Sequence, residues 1–152
     1  DFRAIGRRFD ELYTPRRLDC PLTKGLADAV ADFAGRGTTQ SVLSAYESGL
    51  LRGAVGHYGL TRYFTRVDGL DNIDAGSKIE LGRRHIAALG VPPSEVLMVG
   101  DTPHDKEVAD SMGAGCALVA CGHTSRRRLE KSGVPVFENP EELREFFNSK
   151  NF

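Results

Sequence analysis

Two aspartates, Asp101 and Asp105, follow the most apolar strand candidate of the chain, residues 96–99. In open α/β sheets, ligands bind outside the carboxyl ends of the strands, so Asp101 would face a ligand crevice. Two carboxylates on one tight loop repel each other unless a cation lies beside them, and Mg²⁺ prefers oxygen ligands. The spacing therefore predicts a Mg²⁺ site at Asp101 and Asp105. The alternative is that Asp101 only ends the strand and Asp105 complements a helix dipole.

Helix and strand patterns alternate closely along the chain, which predicts an α/β fold with a three-layer, mostly parallel sheet. Four consecutive apolar residues at 96–99 favour a strand that is buried on both faces. The predicted helices are residues 2–14, 24–35, 47–57, 77–89, 104–112 and 124–131, with a last helix starting at 139–140. The predicted strands are residues 39–45, 63–67, 96–99, 116–120 and 134–137.

Three segments resemble motifs of the haloacid-dehalogenase (HAD) superfamily, in its phosphoglycolate-phosphatase-like branch. Residues 96–105 (VLMVGDTPHD) resemble the fourth motif, and residues 41–47 (SVLSAYE) resemble the second, a strand that ends in Ser or Thr. Lys78 stands where the third motif places its lysine. The resemblance covers roughly residues 20–147 and implies a Rossmann-like core with a small helical cap.

The resemblance also implies roles for individual residues. Ser44 and Ala45 would contact the substrate phosphate, and Lys78 would neutralise the nucleophile and the transferred phosphoryl group. Asp101 would bind Mg²⁺ directly, whereas Asp105 would bind it through water or orient Lys78. Taken without this context, Ser44 is more often a polar strand end and Lys78 a solvated surface residue.

The nucleophile of the family is the first Asp of a D-x-D motif directly after an apolar strand, and this chain has no such motif. Asp1 and Asp19 are the nearest candidates, and no apolar strand precedes either of them. In the family, the missing strand lies between the strands predicted at 39–45 and 96–100. We therefore expect a preceding segment outside this chain, residues 1–18 as the end of the cap, and residues 19–152 as a core that lacks its first strand.

These features predict a Mg²⁺-dependent phosphatase that acts on a small phosphorylated metabolite through an aspartyl-phosphate, with the fragment alone inactive. Two alternatives stay open. One is a non-catalytic binding or regulatory domain on the same fold, and the other is a phosphomutase or dehalogenase. A dehalogenase does not need the metal, so the two aspartates argue mildly against it.

Composition narrows the choice of partners. The chain has 20 Lys+Arg and 21 Asp+Glu, which gives no general field for nucleic acid or for an anionic membrane. Its three cysteines, at 20, 116 and 121, form no C-x-x-C, so buried, reduced thiols and a cytoplasmic location are expected. The four histidines share no spacing, and Asp68, Asp71 and Asp74 resemble a cation loop only loosely. The oligomeric state stays open.

Overall fold

The computed structural model describes residues 2–71 and 77–149. The helices are α1 Phe2–Tyr13, α2 Leu26–Gly35, α3 Ser48–His57, α4 Lys78–Leu89, α5 Pro103–Met112, α6 Arg126–Leu129 and α7 Pro140–Asn148. The strands are β1 Gln40–Glu47, β2 Phe64–Leu70, β3 Leu97–Gly100, β4 Gly115–Val119 and β5 Val136–Phe137. All the observed strand pairs are parallel, which confirms the predicted α/β class.

The strands form two separate sheets. One contains β1 and β2, and the other has the order β3-β4-β5. Within the described ranges, β1 pairs only with β2 and β3 pairs only with β4. The second edges of β1 and β3 border a cavity of about 1040 Å³, which α2 and α7 also line.

One face of the sheets packs on α4 and α5. Ile86, Val108 and Met112 form a buried cluster there, against which Leu43 of β1 and Met98 of β3 pack. Val108 and Leu118 are completely buried. On the opposite face of the first sheet, Val42 and Val67 pack on a second cluster, formed by α2 and α3.

The prediction that residues 96–99 are buried on both faces is wrong. Val96 and Met98 pack on the α4–α5 side, whereas Leu97 and Val99 are 43% and 46% exposed. The reason is that Leu97 and Val99 point to the opposite face, where they line the cavity. Four apolar residues in a row predict apolar surroundings on both sides of a strand. Among the described residues, however, β3 packs on helices on its α4–α5 side and borders the cavity on its other side.

The prediction of buried cysteines is also wrong. Cys20 and Cys121 are exposed, and Cys116 is half-buried. Cys20 lies in the connection between α1 and α2, and Cys121 follows the end of β4, so neither belongs to a packed element.

Helix α1 has little contact with the core. It presents an apolar stripe at helical spacing, in which Ile5 and Phe9 are 67% and 61% exposed. Phe9 stacks on Tyr13 at 5.2 Å between ring centroids, within the same helix. In residues 2–71 and 77–149, no helix is both long enough and apolar enough to cross a bilayer.

Candidate active site

The start of α5 holds the first carboxylate of the site. Thr102 caps the helix and forms a capping box with Asp105: the Thr102 hydroxyl accepts from the Asp105 amide, and Asp105 Oδ2 accepts from the Thr102 amide at 3.0 Å. Pro103 occupies the first turn, where its missing N–H costs nothing. The local sequence therefore places Asp105 firmly, and it is 2% exposed.

Asp105 is held by four donors. Lys78 Nζ lies 2.5 Å from its Oδ1, while the amides of Asp101 and Thr102 and the Thr102 hydroxyl all donate to its Oδ2. Burial alone would raise the pKa of Asp105, but the Lys78 ammonium and these hydrogen bonds keep it below the ordinary value. Asp105 is therefore an ionised carboxylate that orients Lys78.

Lys78 begins α4, directly after the Ser77 cap, whose hydroxyl accepts from the Glu80 amide at 3.3 Å. A cation in the first turn opposes the helix dipole, which favours anions there. The ion pair with Asp105 offsets this, and it brings the start of α4 against the start of α5. The structure thus unites two of the predicted site residues that are 27 positions apart in sequence.

Asp101 lies at the carboxyl end of β3 and is half-buried. Its amide donates to Asp105, but no donor in the described ranges hydrogen-bonds its carboxylate. Gly122, after β4, lies so close that a Cβ built there would be 1.8 Å from Asp101 Oδ2. The Asp101 carboxylate therefore lies against the backbone of the loop after β4.

Gly100 lies against the Asp105 carboxylate in the way that Gly122 lies against the Asp101 carboxylate. A Cβ at Gly100 would lie 2.3 Å from the Asp105 carboxyl carbon. Both carboxylates thus depend on a glycine at the end of a strand, Gly100 on β3 and Gly122 after β4. At both positions the missing side chain makes room for an acidic side chain.

Ser44 and Ala45 lie near the carboxyl end of β1. Ser44 Oγ accepts a hydrogen bond from the Tyr46 amide at 3.1 Å, which leaves the hydroxyl proton available to an anion. Ala45 is exposed. Among the described residues, no hydrogen bond or ion pair joins either residue to Lys78, Asp101 or Asp105.

The remaining polar candidates lie outside this group. His104 is exposed and bonds Glu107 within α5 at 2.8 Å. Burial raises the pKa of Cys116 to about 11, and partial burial of the thiol together with the Asp101 charge raises the pKa of Cys121. Both thiols are thus protonated near neutral pH and are poor nucleophiles. Asp74, one of the loosely grouped acidic residues, lies outside the described residues.

The chain is an α/β domain with parallel strands. At the carboxyl end of β3, the amide of Asp101 donates to the Lys78–Asp105 ion pair, which joins the starts of two helices. Residues 79–145 match the family model of HAD-hydrolase-like proteins. The chain has the haloacid-dehalogenase-like fold, as the resemblance of its motifs implied.

Several known proteins are similar to this chain. The tyrosine-protein kinase PtkA of Mycobacterium tuberculosis is 26% identical over 128 residues, which are 82% of this chain and 44% of that protein. A solved structure of PtkA from M. tuberculosis aligns with a TM-score of 0.73 at 24% identity, and the alignment covers 88% of this chain and 64% of that chain. The chain thus spans less than half the length of this curated relative.

Two further structures share the fold at lower identity. A predicted phosphatase from Clostridium acetobutylicum has a TM-score of 0.77 at 18% identity, over 83% of this chain and 59% of that chain. A HAD-superfamily hydrolase from Ehrlichia chaffeensis has a TM-score of 0.68 at 21% identity, over 97% and 76%. These likenesses concern the fold.

Proposed function

We propose that this domain is part of a Mg²⁺-dependent phosphomonoester hydrolase of the HAD type, which acts on a small phosphorylated metabolite. The observation that carries the proposal is the arrangement of Lys78, Asp105 and Asp101, in which a buried carboxylate orients a lysine beside an open carboxylate. Phosphoryl transfer needs little more than positive charge placed around the transferred group and a positioned nucleophile.

The residues present fit part of a Mg²⁺ site. The Asp101 carboxylate lacks a hydrogen-bond donor among the described residues, and a hard cation prefers such oxygens. Asp105 already accepts four hydrogen bonds, so it would contact the ion through water. In the described ranges, no group of three or more His, Cys, Asp or Glu could hold a metal. A bound Mg²⁺ would neutralise charge on the phosphoryl group; its other ligands would be water, substrate and a further carboxylate.

Each chain residue would have a defined task in the reaction. Lys78, fixed by Asp105, would hold a phosphoryl oxygen; such a preorganised charge lowers a barrier by about 3–4 kcal/mol. The Ser44 hydroxyl, whose oxygen is occupied by the Tyr46 amide, would donate its proton to another phosphoryl oxygen. The backbone at Ala45 would complete the phosphate contacts on the β1 side.

We further propose that the nucleophilic aspartate comes from outside these 152 residues, on a strand between β1 and β3. The free edges of both strands and the apolar side chains of Leu97 and Val99 border the cavity there. A strand in this place would pair with both edges and cover both side chains. Its carboxyl end would lie between Ser44 and Asp101, where an attacking aspartate would form the aspartyl-phosphate.

The test uses the complete gene product, assayed on p-nitrophenyl phosphate and on a panel of small phosphate monoesters. We expect turnover that requires Mg²⁺, is abolished by a chelator and falls at least about 100-fold in Asp101→Asn. Asp110→Asn is the matched control, because Asp110 lies on the outside of α5 in a surface pair with Lys106. Equal turnover by Asp101→Asn, or no hydrolysis of any monoester, would contradict the proposal.

A second candidate is transfer of a phosphoryl group to protein tyrosine, which the similarity to the tyrosine-protein kinase PtkA favours. The same lysine and carboxylates would serve it, because both reactions pass through the same kind of phosphoryl transfer. Incubation with γ-labelled ATP and a tyrosine-containing peptide separates the two: label on the peptide tyrosine supports the kinase, and release of free phosphate from monoesters alone supports the hydrolase.

A further inference from the structure

A chain of partly buried hydrogen bonds joins β1, α4 and β2. Ser41 Oγ lies 2.8 Å from His85 Nε2, and His85 Nδ1 lies 2.8 Å from Asp68 Oδ2. The Arg66 guanidinium also donates to Asp68 Oδ2. His85 is 4% exposed, so its ring is inside the fold between the first sheet and α4. The proposed phosphoryl transfer assigns no role to Ser41, His85 or Asp68.

The direction of the bonds follows from the charges. Burial raises the pKa of Asp68, but hydrogen bonds from Arg66 and His85 outweigh it and leave the pKa below its ordinary value. Ionised Asp68 is an acceptor only, so His85 Nδ1 carries a proton and donates it. In a neutral ring, Nε2 is then the acceptor, and the Ser41 hydroxyl donates to it.

Two members of this chain, Ser41 and His85, lie on elements that carry site residues. Ser41 precedes Ser44 by three positions on β1, and His85 follows Lys78 by seven positions on α4. Seven residues are close to two helical turns, so His85 and Lys78 share a face of α4, about 10 Å apart along its axis. The bond from Ser41 to His85 therefore ties the strand of the phosphate contact to the helix of the lysine.

We propose that His85 is a positioning residue, which sets α4 along β1 so that Lys78 and Ser44 meet the same phosphoryl group. The inference rests on the proposed function. Leu43 and Ile86 also pack between these elements, but apolar contact is non-directional and permits sliding. A hydrogen bond with a 2.8 Å length and a preferred direction holds the helix in one place along the strand.

The order Ser–His–Asp is also that of nucleophilic hydrolases. The surroundings here do not fit that use. The cavity beside Ser41 and His85 has a volume of about 90 Å³ and is lined mainly by apolar side chains, including Leu43, Ile86 and Leu89. Sites for small-molecule ligands are roughly 300–1,000 Å³. This space admits no substrate, and the cavity of about 1040 Å³ that Ser41 also lines is not lined by His85. We therefore infer that the bonds act between elements.

The first test compares Ser41→Ala with Ser41→Thr in the complete gene product. Ser41→Ala removes the bond to His85 and leaves the His85–Asp68 bond, whereas Ser41→Thr keeps the hydroxyl and suits a strand. We expect kcat to fall about 10-fold in Ser41→Ala with KM changed less than about twofold, and Ser41→Thr to stay within about twofold of the parent. Ser111→Ala is the control, because in the part of the chain that the structure describes the Ser111 hydroxyl donates to the Val108 carbonyl of its own helix and to no other element.

The second readout needs no activity. Amide hydrogen exchange should become about 10-fold faster in α4 of Ser41→Ala, unchanged in α7, and normal again in Ser41→Thr. If the protein turns over no phosphoester but α4 exchange responds in this way, the proposed function fails and the tie between β1 and α4 stands. If Ser41→Ala retains both the parent kcat and the parent exchange, or if a fluorophosphonate labels Ser41, the positioning role is overturned.

Discussion

The two faces of the sheets differ in how completely they are packed. On the α4–α5 face, buried apolar residues, the Lys78–Asp105 pair and the Ser41–His85–Asp68 chain leave little free space. On the α2–α7 face, a cavity of about 1040 Å³ separates β1 from β3. The difference teaches that contacts on one face hold the charged residues of the proposed site, whereas on the other face, within the described ranges, β1 and β3 each have an unpaired edge beside the cavity.

Matched leucines on neighbouring strands give the largest expected contrast. Leu118 of β4 is completely buried on the α5 side, whereas Leu97 of β3 is 43% exposed towards the cavity. We expect Leu118→Ala to lower the free energy of unfolding by about 3 kcal/mol and Leu97→Ala by less than about 1 kcal/mol. Urea unfolding of this chain measures both. Equal losses would show that the cavity face is as tightly packed as the other.

Ion pairs on the two faces provide the next contrast. Lys78→Met leaves the buried Asp105 carboxylate without its cation and should cost about 2 kcal/mol of stability. Arg36→Met breaks the surface pair between Arg36 and Asp32 on α2, which should cost less than about 0.5 kcal/mol. Thermal unfolding distinguishes them. If Lys78→Met unfolded at the same temperature as the parent, the buried Asp105 carboxylate would not need the Lys78 ammonium for its stability.

Glycine substitutions in the complete gene product test the role of Asp101 at the carboxyl end of β3. A Cβ at Gly122 would overlap the Asp101 carboxylate, so Gly122→Ala should weaken Mg²⁺ binding about 10-fold, or roughly 1.4 kcal/mol. Gly53→Ala on α3 meets open space and should stabilise the helix by about 0.5–1 kcal/mol without affecting Mg²⁺. Calorimetric titration with Mg²⁺ gives the answer, and unchanged affinity in Gly122→Ala would remove Asp101 from the site.

The smallest expected effect is a loss of folding stability at acidic pH. Burial raises the pKa of Asp68 and of Asp105, but their partners hold both below the ordinary value. The folded state therefore favours the ionised forms, and the unfolded chain binds more protons as the pH falls. Stability is full above the ordinary carboxyl pKa of about 3.9 and is lost as the pH falls through the folded-state values. Unfolding at pH 5 and below pH 4 should show this loss, with a shallower slope in Asp68→Asn; a slope identical to the parent's would contradict it.

Local sequence signals were sufficient to predict the alternation of elements and the pair Asp101 and Asp105. Apolar periodicity, Pro103 in a first turn and glycines after helices act within a few residues, so they are legible without a structure. The orientation of Lys78 towards Asp105 came from the family resemblance, because the two residues are far apart in sequence.

Other features depend on tertiary contacts and were not predictable in this way. No spacing rule joins Ser41, Asp68 and His85, because each lies on a different element and only packing brings them together. The exposure of Leu97 and Val99 was likewise missed, since an apolar strand sequence does not tell which face has a neighbouring layer. Pairing Ser41 with a histidine on the helix after β2 would have required knowing the strand order.

In the proposed site, Asp101 contributes directly to Mg²⁺ binding beside Lys78 and Asp105. Calorimetric titration of the complete gene product with Mg²⁺ tests this role without relying on a substrate. We expect one Mg²⁺ per protein for the parent and for Asp110→Asn, and at least about 10-fold weaker binding in Asp101→Asn. Equal Mg²⁺ affinity of Asp101→Asn and the parent would contradict this role of Asp101.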